Sequence, residues 1–293
     1  LNLNSKEIFN KLNYQTNVEV LNILRSEGVD NKKFFFNQNI KFPLLFNDGT
    51  ILEFGGHINA GLYHLDNFDN PVTGLHENNT FRTNFFPQFT VELTKPYFKN
   101  TNLYSTILTP KVLFVSGHKN AFNRKIPNED NLNFDFDISD LFNRNRLSGN
   151  DRHDDNSRID YGFSFLKNGK DSKQTVIEIG QSFHLEKQKY LPINSGINDN
   201  FSNIVGLLAF NPNDLISLNS FFSIEKDNFS LEKAYTNFSL QTKSSEFSFK
   251  NVYAPPVINN DGTNEIERKN QFSLDYVFYN SHLSPQPALI LLE

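Results

Sequence analysis

The sequence predicts an all-β chain whose antiparallel strands form a segment of a transmembrane β-barrel. Three observations support this fold class. Apolar residues alternate with polar or small ones along most of the chain, the alternating segments are long, and turn sequences separate many of them. Strands of this kind have one apolar and one polar face, which suits a barrel wall with lipid on one side and water on the other.

Alternation is clear in segment 34–46, where most apolar residues occupy even positions and Asn37, Asn39 and Lys41 occupy odd ones. The Asn-Asp-Gly sequence at 47–49 then predicts a tight turn, because Gly adopts the positive φ that such turns need. This segment is therefore expected to be a strand that ends in a hairpin.

Residues 159–165 and 177–185 repeat the pattern on either side of the turn sequence 168–171, which predicts a hairpin. Further candidate strands are residues 14–24, 52–65, 81–95, 103–118, 201–211, 216–224, 229–241, 246–253 and 272–278. The total is about a dozen strands, and many exceed the ~9 to 11 residues that a tilted strand needs to cross a bilayer. Only segment 5–12 has a briefly helical pattern.

The predicted connections differ in length. Short ones lie at residues 47–49, 168–171 and 211–214, and long polar ones at 66–79, 119–156, 187–200 and 255–268. Outer-membrane barrels have short turns on the periplasmic side and long loops outside. The chain shows the same asymmetry.

Composition agrees with this fold without deciding it. The chain has 31 Phe and 10 Tyr, yet its hydrophobic share is only 38 % and its mean hydropathy is negative. A barrel wall produces this combination because half of each strand is polar. An AT-rich genome would also enrich Phe and Asn, so the composition supports the strand pattern and does not replace it.

Several protein classes are disfavoured. The formal net charge is −5 with no basic block, so nucleic-acid binding is not expected. There is no Cys for a disulfide or a thiolate metal site. No apolar run reaches the ~18 to 20 residues of a membrane-spanning helix. Because the chain starts at Leu1 without a signal peptide, we expect residues 1–293 to be part of a longer barrel domain.

The most distinctive motif is Asp-Leu-Phe-Asn-Arg-Asn-Arg-Leu-Ser-Gly-Asn-Asp-Arg at 140–152, which follows a long loop. It resembles a block in the LptD family of lipopolysaccharide-assembly barrels, also called organic-solvent-tolerance proteins. Segments 108–112 and 180–183 resemble the neighbouring strands of that family, in the same order and spacing. The resemblance is best over residues 103–185.

That resemblance implies the function of the chain. In the LptD family, lipopolysaccharide arrives over a periplasmic bridge, enters the barrel and leaves sideways into the outer leaflet of the outer membrane, while a lipoprotein plug sits inside. The chain would supply about half of a large barrel wall in a Gram-negative bacterium. An N-terminal periplasmic domain and the terminal strands would lie outside it. Partners would be lipopolysaccharide, the plug, the bridge and membrane lipid.

The resemblance also implies roles for four loop residues. Arg144, Arg146, Asp151 and Arg152 would lie in or above the lumen as contacts of the loop and the plug. The alternative is that these side chains only brace the loop. Neither reading involves a cofactor.

The sequence pattern leaves two alternative functions open. A passive outer-membrane porin would share the strand pattern but not the block at 140–152. A soluble β-sandwich adhesin or sugar-binding module would bury its apolar rows between two sheets. These alternatives predict opposite surroundings for the Phe and Leu rows.

An enzyme is not predicted. The His282-Leu283-Ser284 spacing resembles that of outer-membrane phospholipases, but the prolines at 285 and 287 favour a loop. Metal binding is not predicted either. The aspartates at 151, 154, 155 and 160 lack the spacing of a calcium loop, and the histidines at 57, 64 and 184, although expected on inward faces, form no recognisable ligand set.

Overall fold

The computed structural model describes residues 2–8, 12–117, 125–130, 136–170, 173–187, 195–254, 257–258, 264–266, 269–279 and 288–290. Within them it contains 19 strands and one short helix, α1 (Ile138–Leu141). The strands are β1 (Asn2–Ile8), β2 (Leu12–Ile23), β3 (Asp30–Leu45), β4 (Ile51–Asp66), β5 (Phe68–Asp69), β6 (His76–Glu77), β7 (Thr80–Thr94), β8 (Tyr97–Asn100), β9 (Tyr104–Val115), β10 (Arg158–Gly169), β11 (Gln174–His184), β12 (Ile204–Asn213), β13 (Ile216–Ile224), β14 (Leu231–Gln241), β15 (Ser245–Ala254), β16 (Val257–Ile258), β17 (Asn264–Ile266), β18 (Lys269–Phe278) and β19 (Ala288–Ile290).

One sheet dominates the fold. It has 15 strands in the order β1-β2-β3-β4-β7-β9-β10-β11-β12-β13-β14-β15-β18-β19, with β8 beside β9, and all its described pairs are antiparallel. Twelve strands have 9 to 16 residues. Strands of soluble proteins usually have only ~5 to 6 residues. The predicted antiparallel barrel segment of about a dozen long strands is confirmed.

The predicted hairpins are also confirmed. Strand β3 ends at Leu45, Gly49 takes φ +81°, and β4 begins at Ile51. Strands β10 and β11 pair over eleven residue pairs, from Arg158 opposite His184 to Asn168 opposite Gln174.

The predicted helical segment at 5–12 is wrong, because β1 covers Asn2–Ile8 and pairs with β2. A helix of this length is marginal in water, whereas an edge strand gains backbone hydrogen bonds from the neighbour already in place. The possible phospholipase-like sequence at 282–284 lies outside the described residues.

Short and long connections lie at opposite ends of the strands, and each of these two ends of the sheet is called an edge here. At one edge, here called the short edge, strands join through residues 46–50, 95–103, 170–173, 214–215 and 242–244. At the opposite, long edge the connections are 24–29, 67–79, 116–157, 185–203, 225–230 and 255–268. This is the arrangement predicted from the sequence, although 24–29 and 225–230 are short turns at the long edge.

The two faces of the sheet differ as predicted. On the face here called the outer face, large apolar side chains stay exposed, for example Phe81 (62 %), Phe85 (60 %) and Phe163 (41 %). The opposite, inner face carries polar cross-strand pairs such as Asn37 with Asn59. Apolar rows packed against a second sheet would be buried, so the exposed rows contradict the sandwich alternative.

The inner face is not uniformly polar and open. Two apolar clusters lie on it near the long edge. One consists of Phe35, Tyr63, Leu65, Phe68 and Ile126, and the other of Phe136, Ile138, Leu141, Ile197 and Val205. Because both clusters include residues from long connections, these connections fold back over the inner face and bury their own apolar side chains there.

Candidate functional site

The connection between β9 and β10, residues 116–157, forms most of the site and is called the inner loop here. Its described residues contact the inner face on both sides of their own position in the sheet. Asn150 donates to Glu19 of β2 at 3.1 Å, and Lys233 of β14 donates to the Phe136 carbonyl at 3.0 Å. The loop therefore ties strands from one end of the sheet to strands near the other.

Its most buried polar part is the arginine cluster. The cluster consists of Arg146, Asp154, Arg158, Asp160, Ser182 and His184. Asp160 of β10 accepts from Arg146 and, at 3.0 Å, from the Nε atom of Arg158. Arg158 also donates to Asp154 at 2.8 Å, and the side chains of all three residues are at most 2 % exposed.

Main-chain carbonyls occupy further donors of the two guanidinium groups. Arg158 donates to the carbonyl of Arg144 at 3.0 Å, and Arg146 donates to that of Leu141 at 3.2 Å. Arg146 also reaches the Ser182 hydroxyl at 2.9 Å. Buried charges are tolerated only when paired and hydrogen-bonded, which the planar five-donor fork of arginine makes possible here. The cluster thus fixes both the side chains and the path of the loop.

Strand register explains how these residues meet. Arg158 lies opposite His184, and Asp160 lies opposite Ser182, in the β10 and β11 pair. Residues two apart along a strand point to the same face, so all four side chains project inward at the long edge. The inner loop then places Arg146 and Asp154 against these four side chains.

A second group, the lysine cluster, docks the loop on β3. The Nζ atom of Lys33 lies 2.7 Å from both Asp151 and Glu129. Arg152 donates to the carbonyls of Ile126 at 2.7 Å and Asp151 at 2.9 Å. Lys33 and Asp151 are almost completely buried, so each charge depends on its partners.

Between the two clusters, the loop packs on β7. Arg144 donates to the amide oxygen of Gln88 at 2.5 Å, and Gln88 donates to the carbonyl of Asp154 at 3.2 Å. The ring of His153 stacks on Phe86 with centroids 4.9 Å apart and an interplanar angle of 3°. The middle of the loop is therefore held by polar and aromatic contacts together.

Burial shifts the pKa of several loop residues. Burial and the nearby charge of Arg158 lower the pKa of Arg144 and of Arg146 to about 10, so both stay charged at neutral pH. Burial and Arg144 lower the pKa of His153 to about 3, which keeps its ring neutral. Burial, with the charge of Asp154, raises the pKa of Asp155 to about 6.

A glycine notch seats the helix of the loop. A Cβ atom on Gly180 of β11 would lie 2.2 Å from the Leu141 side chain and 2.7 Å from the Tyr161 carbonyl. Leu141 is completely buried in the second apolar cluster. Only glycine at this position leaves room for α1 to lie flat on the sheet.

The structure places the four loop residues chosen from the sequence against the inner face. Arg146, Asp151 and Arg152 are buried and contact this chain itself, whereas Arg144 is partly exposed. This geometry matches the bracing alternative. Contact with a plug stays a prediction.

Sequence reasoning did not select Lys33, Glu129, Arg158, Asp160 or His184 as site residues. The inward positions on β10 and β11 were available as a signal, because Arg158, Asp160, Ser182 and His184 alternate with the apolar row. Lys33 and Glu129 offered no such signal, since they lie 96 positions apart in the sequence and only the folded loop brings them together.

Two of the three histidines that were expected on the inner face lie there. His57 and His184 are buried on the inner face, but His64 shares the outer face with Leu62 and lies 4.7 Å from the Phe81 ring. The prediction for His64 is wrong, because residues an odd number apart on a strand point to opposite faces. Three of the four aspartates considered for calcium pair instead with cations of the chain: Asp151 with Lys33, Asp154 with Arg158, and Asp160 with Arg146 and Arg158.

No group of three or more His, Cys, Asp or Glu side chains in the described ranges could hold a metal ion. Likewise, none of the helical residues that the structure describes belongs to a helix long and apolar enough to cross a membrane.

Long antiparallel strands with an exposed apolar outer face, a polar inner face and a loop docked inside define an outer-membrane β-barrel protein. The chain matches the family described as LPS transport system D, LptD, over residues 1–280, and it belongs to that family. The resemblance seen in the sequence is thereby confirmed. No curated protein matches the chain.

Family membership identifies the process in which the chain takes part. LptD proteins act in lipopolysaccharide transport and assembly in the outer membrane of Gram-negative bacteria. The family is a transport family and not an enzyme family.

Proposed function

We propose that this chain forms part of the wall of the barrel that delivers lipopolysaccharide to the outer leaflet, as the barrel component of the assembly translocon. The observation that carries the proposal is the division of the wall into two faces in a chain of the LptD family. Apolar rows are exposed on the outer face, and polar rows with a docked loop occupy the inner face. Such a wall separates hydrocarbon from water.

The two faces suit an amphiphilic cargo. The sugar head group of lipopolysaccharide needs a hydrated route, which polar inner pairs such as Asn37 with Asn59 and Asn219 with Asn237 support. The acyl chains need hydrocarbon, which borders the outer face. Antiparallel pairing satisfies the strand backbone in that setting, as a bilayer requires.

Partners and domain limits belong to the same proposal. The chain would form roughly half of a large barrel, together with terminal strands and an N-terminal periplasmic domain outside residues 1–293. A periplasmic bridge would deliver lipopolysaccharide, and an outer-membrane lipoprotein would plug the barrel. Arg144, Arg146, Asp151 and Arg152 would hold the inner loop in the shape that meets the plug.

The experiment is depletion of the full-length protein in its own bacterium, followed by measurement of surface lipopolysaccharide. Export predicts that surface lipopolysaccharide falls while the precursor accumulates inside, and that the unchanged gene restores it. A passive porin predicts slower uptake of small solutes with surface lipopolysaccharide unchanged. That second outcome would overturn the proposal.

A further inference from the structure

A cleft at the short edge of the sheet is not used by the proposed export route. It lies on the outer side of the ends of β9 to β12 and encloses about 430 Å³, within the ~300 to 1,000 Å³ of small-molecule sites. Its principal lining side chains are basic or apolar: Lys167, Lys170, Lys173, Leu103, Tyr104 and Phe210.

The three lysines differ from Lys41 and Lys95, two further lysines near this edge. Lys41 pairs with Glu53 at 2.8 Å, and Lys95 pairs with Asp48 at 2.6 Å. In the described part of the chain, Lys167, Lys170 and Lys173 have no ion-pair partner, and all three are exposed. Asp171 of the same turn lies outside the described residues, and even with it the segment 167–173 has a formal charge of +2 (three Lys, one Asp).

Backbone hydrogen bonds hold the main chain beside the lysines. The Gly169 N–H donates to the Lys173 carbonyl at 2.7 Å, and the backbone N–H of Lys170 donates to the Leu103 carbonyl at 3.3 Å. These bonds join the β10–β11 turn to the connection that precedes β9. The ammonium group of Lys167 lies 4.6 Å from the Tyr104 ring centroid. The positive charges are thus held beside aromatic and apolar surface.

The cleft continues the lipid-facing surface. Lys167 shares the outer face with Phe163 and Phe165, and Thr175 lies opposite Phe210 on that face. Leu103 is 70 % exposed and Phe210 is 42 % exposed. An acyl chain lying along this row would therefore place its headgroup at the lysines.

We propose that this cleft binds the phosphate-bearing headgroup of an anionic phospholipid in the leaflet on the short-edge side. Short turns of outer-membrane barrels lie on the periplasmic side. A cluster of lysines at a bilayer surface attracts anionic lipid. The bound lipid would anchor this part of the wall at a fixed depth.

The test uses the full-length protein, purified in a neutral detergent and titrated with phosphatidylglycerol in competition with phosphatidylcholine. Native mass spectrometry counts the bound lipids. The variant K167Q/K170Q/K173Q removes the three charges of the cleft. The control K32Q/K243Q/K269Q removes three exposed lysines that lie elsewhere, so it changes the net charge by the same amount.

We expect the cleft variant to lose about tenfold or more of its affinity for phosphatidylglycerol, while the control keeps the original preference. Equal losses in both variants, or no loss in either, would overturn the proposal. So would displacement of phosphatidylglycerol by lipopolysaccharide at these lysines. The single variant K170Q gives the same comparison should the triple variant not fold, and because export is measured separately, the two proposals fail independently.

Discussion

At the residue scale, the inner loop is held by charges that water cannot reach. Arg146 and Arg158 both pair with the carboxylate of Asp160. Lys33 pairs with both Asp151 and Glu129. Buried ion pairs add little net stability compared with apolar packing, but they tolerate few alternative arrangements. Their contribution here is to fix one position of the loop on the inner face.

Removing one charge of the arginine cluster should therefore be costly. We expect Asp160→Asn to lower the free energy of unfolding by ~3 to 5 kcal/mol, because two buried guanidinium groups lose their shared partner. Urea-dependent unfolding of the protein in lipid vesicles measures this change.

The matched control is Asp275→Asn, which removes an inner-face carboxylate that pairs with the partly exposed Lys250. It should cost about 1 kcal/mol or less. Similar losses in the two variants would show that burial of the arginine cluster does not matter.

Loop docking should also depend on pH through His153. Because burial lowers its pKa to about 3 from an ordinary value near 6.5, His153 stabilises the docked loop above pH 6.5 and loses that contribution as the pH falls toward 3. His153→Phe keeps a ring on Phe86 and cannot gain a proton. Hydrogen exchange of the loop amides, corrected for intrinsic rates, measures the protection of the loop. This variant should lose less of that protection at low pH than the unchanged protein.

Asp155 provides the comparison of opposite sign. Its pKa is raised to about 6, so its contribution is fully present below pH 4 and is lost as the pH rises through 6. Asp155→Asn should then make the acid loss of loop protection steeper between pH 6 and 4. If both variants shifted the profile in the same direction, the assignment of charges in the loop would be wrong.

At the scale of elements, the loop and the sheet fit through shape as well as charge. Gly162 and Gly180 lie opposite each other on the inner face, and Leu141 of α1 packs against Gly180. The helix has only four residues and is capped by Asp137, whose side chain accepts from the Ser139 N–H at 2.7 Å. Such a short helix depends on its packing, because its own backbone contributes little.

Filling the glycine notch should displace the helix and also crowd the Tyr161 carbonyl of β10. We expect Gly180→Val to expose the inner loop to limited proteolysis, since its side chain would overlap Leu141, at a cost of ~1 to 3 kcal/mol. Heat-modifiable mobility in a gel reports separately on the sheet.

Gly56→Val is the control, because a Cβ atom at that outer-face position meets no other atom within 4 Å. The second change Leu141→Ala should partly restore protection to the Gly180→Val protein. Equal sensitivity of the Gly56 and Gly180 variants would contradict the fit.

At the scale of the whole molecule, the outer rows decide in which solvent the sheet is stable. Phe81, Phe85 and Phe163 are exposed in the isolated chain, yet each is large and apolar. A row of this kind is stable only against lipid or another apolar surface. The family assignment identifies that surface as the outer membrane.

A charge in the middle of the outer face should therefore destabilise the protein much more than a charge on the inner face. We expect Phe163→Arg to cost ~2 to 4 kcal/mol in vesicles. Ser164→Arg, one residue further along β10, places the same group on the inner face beside Glu178 and should cost far less. Folding into vesicles at graded urea concentrations measures both, and equal costs would rule out lipid on the outer face.

Much of the fold could be predicted from the sequence because strand formation has a local signal. The even positions of 34–46 predicted the outer row of β3, and the turn at 47–49 predicted its end. The hairpin of β10 and β11 was predicted in the same way, although β10 extends to Gly169, into the predicted turn, and β11 begins already at Gln174. The helical interpretation of 5–12 was wrong because the pairing of β1 with β2 overrode a weak local pattern.

By itself, the sequence determined the strands, their two faces and the family, since these depend on residue order and alternation along one segment. Only the tertiary structure decided what occupies the inner face. The contacts of Lys33 with Glu129 and Asp151 join residues about a hundred positions apart, and no periodicity encodes them. They exist because the long loop carries apolar side chains that are unstable in water and charges that are unstable when buried without a partner. The inner face of the sheet supplies contacts for both.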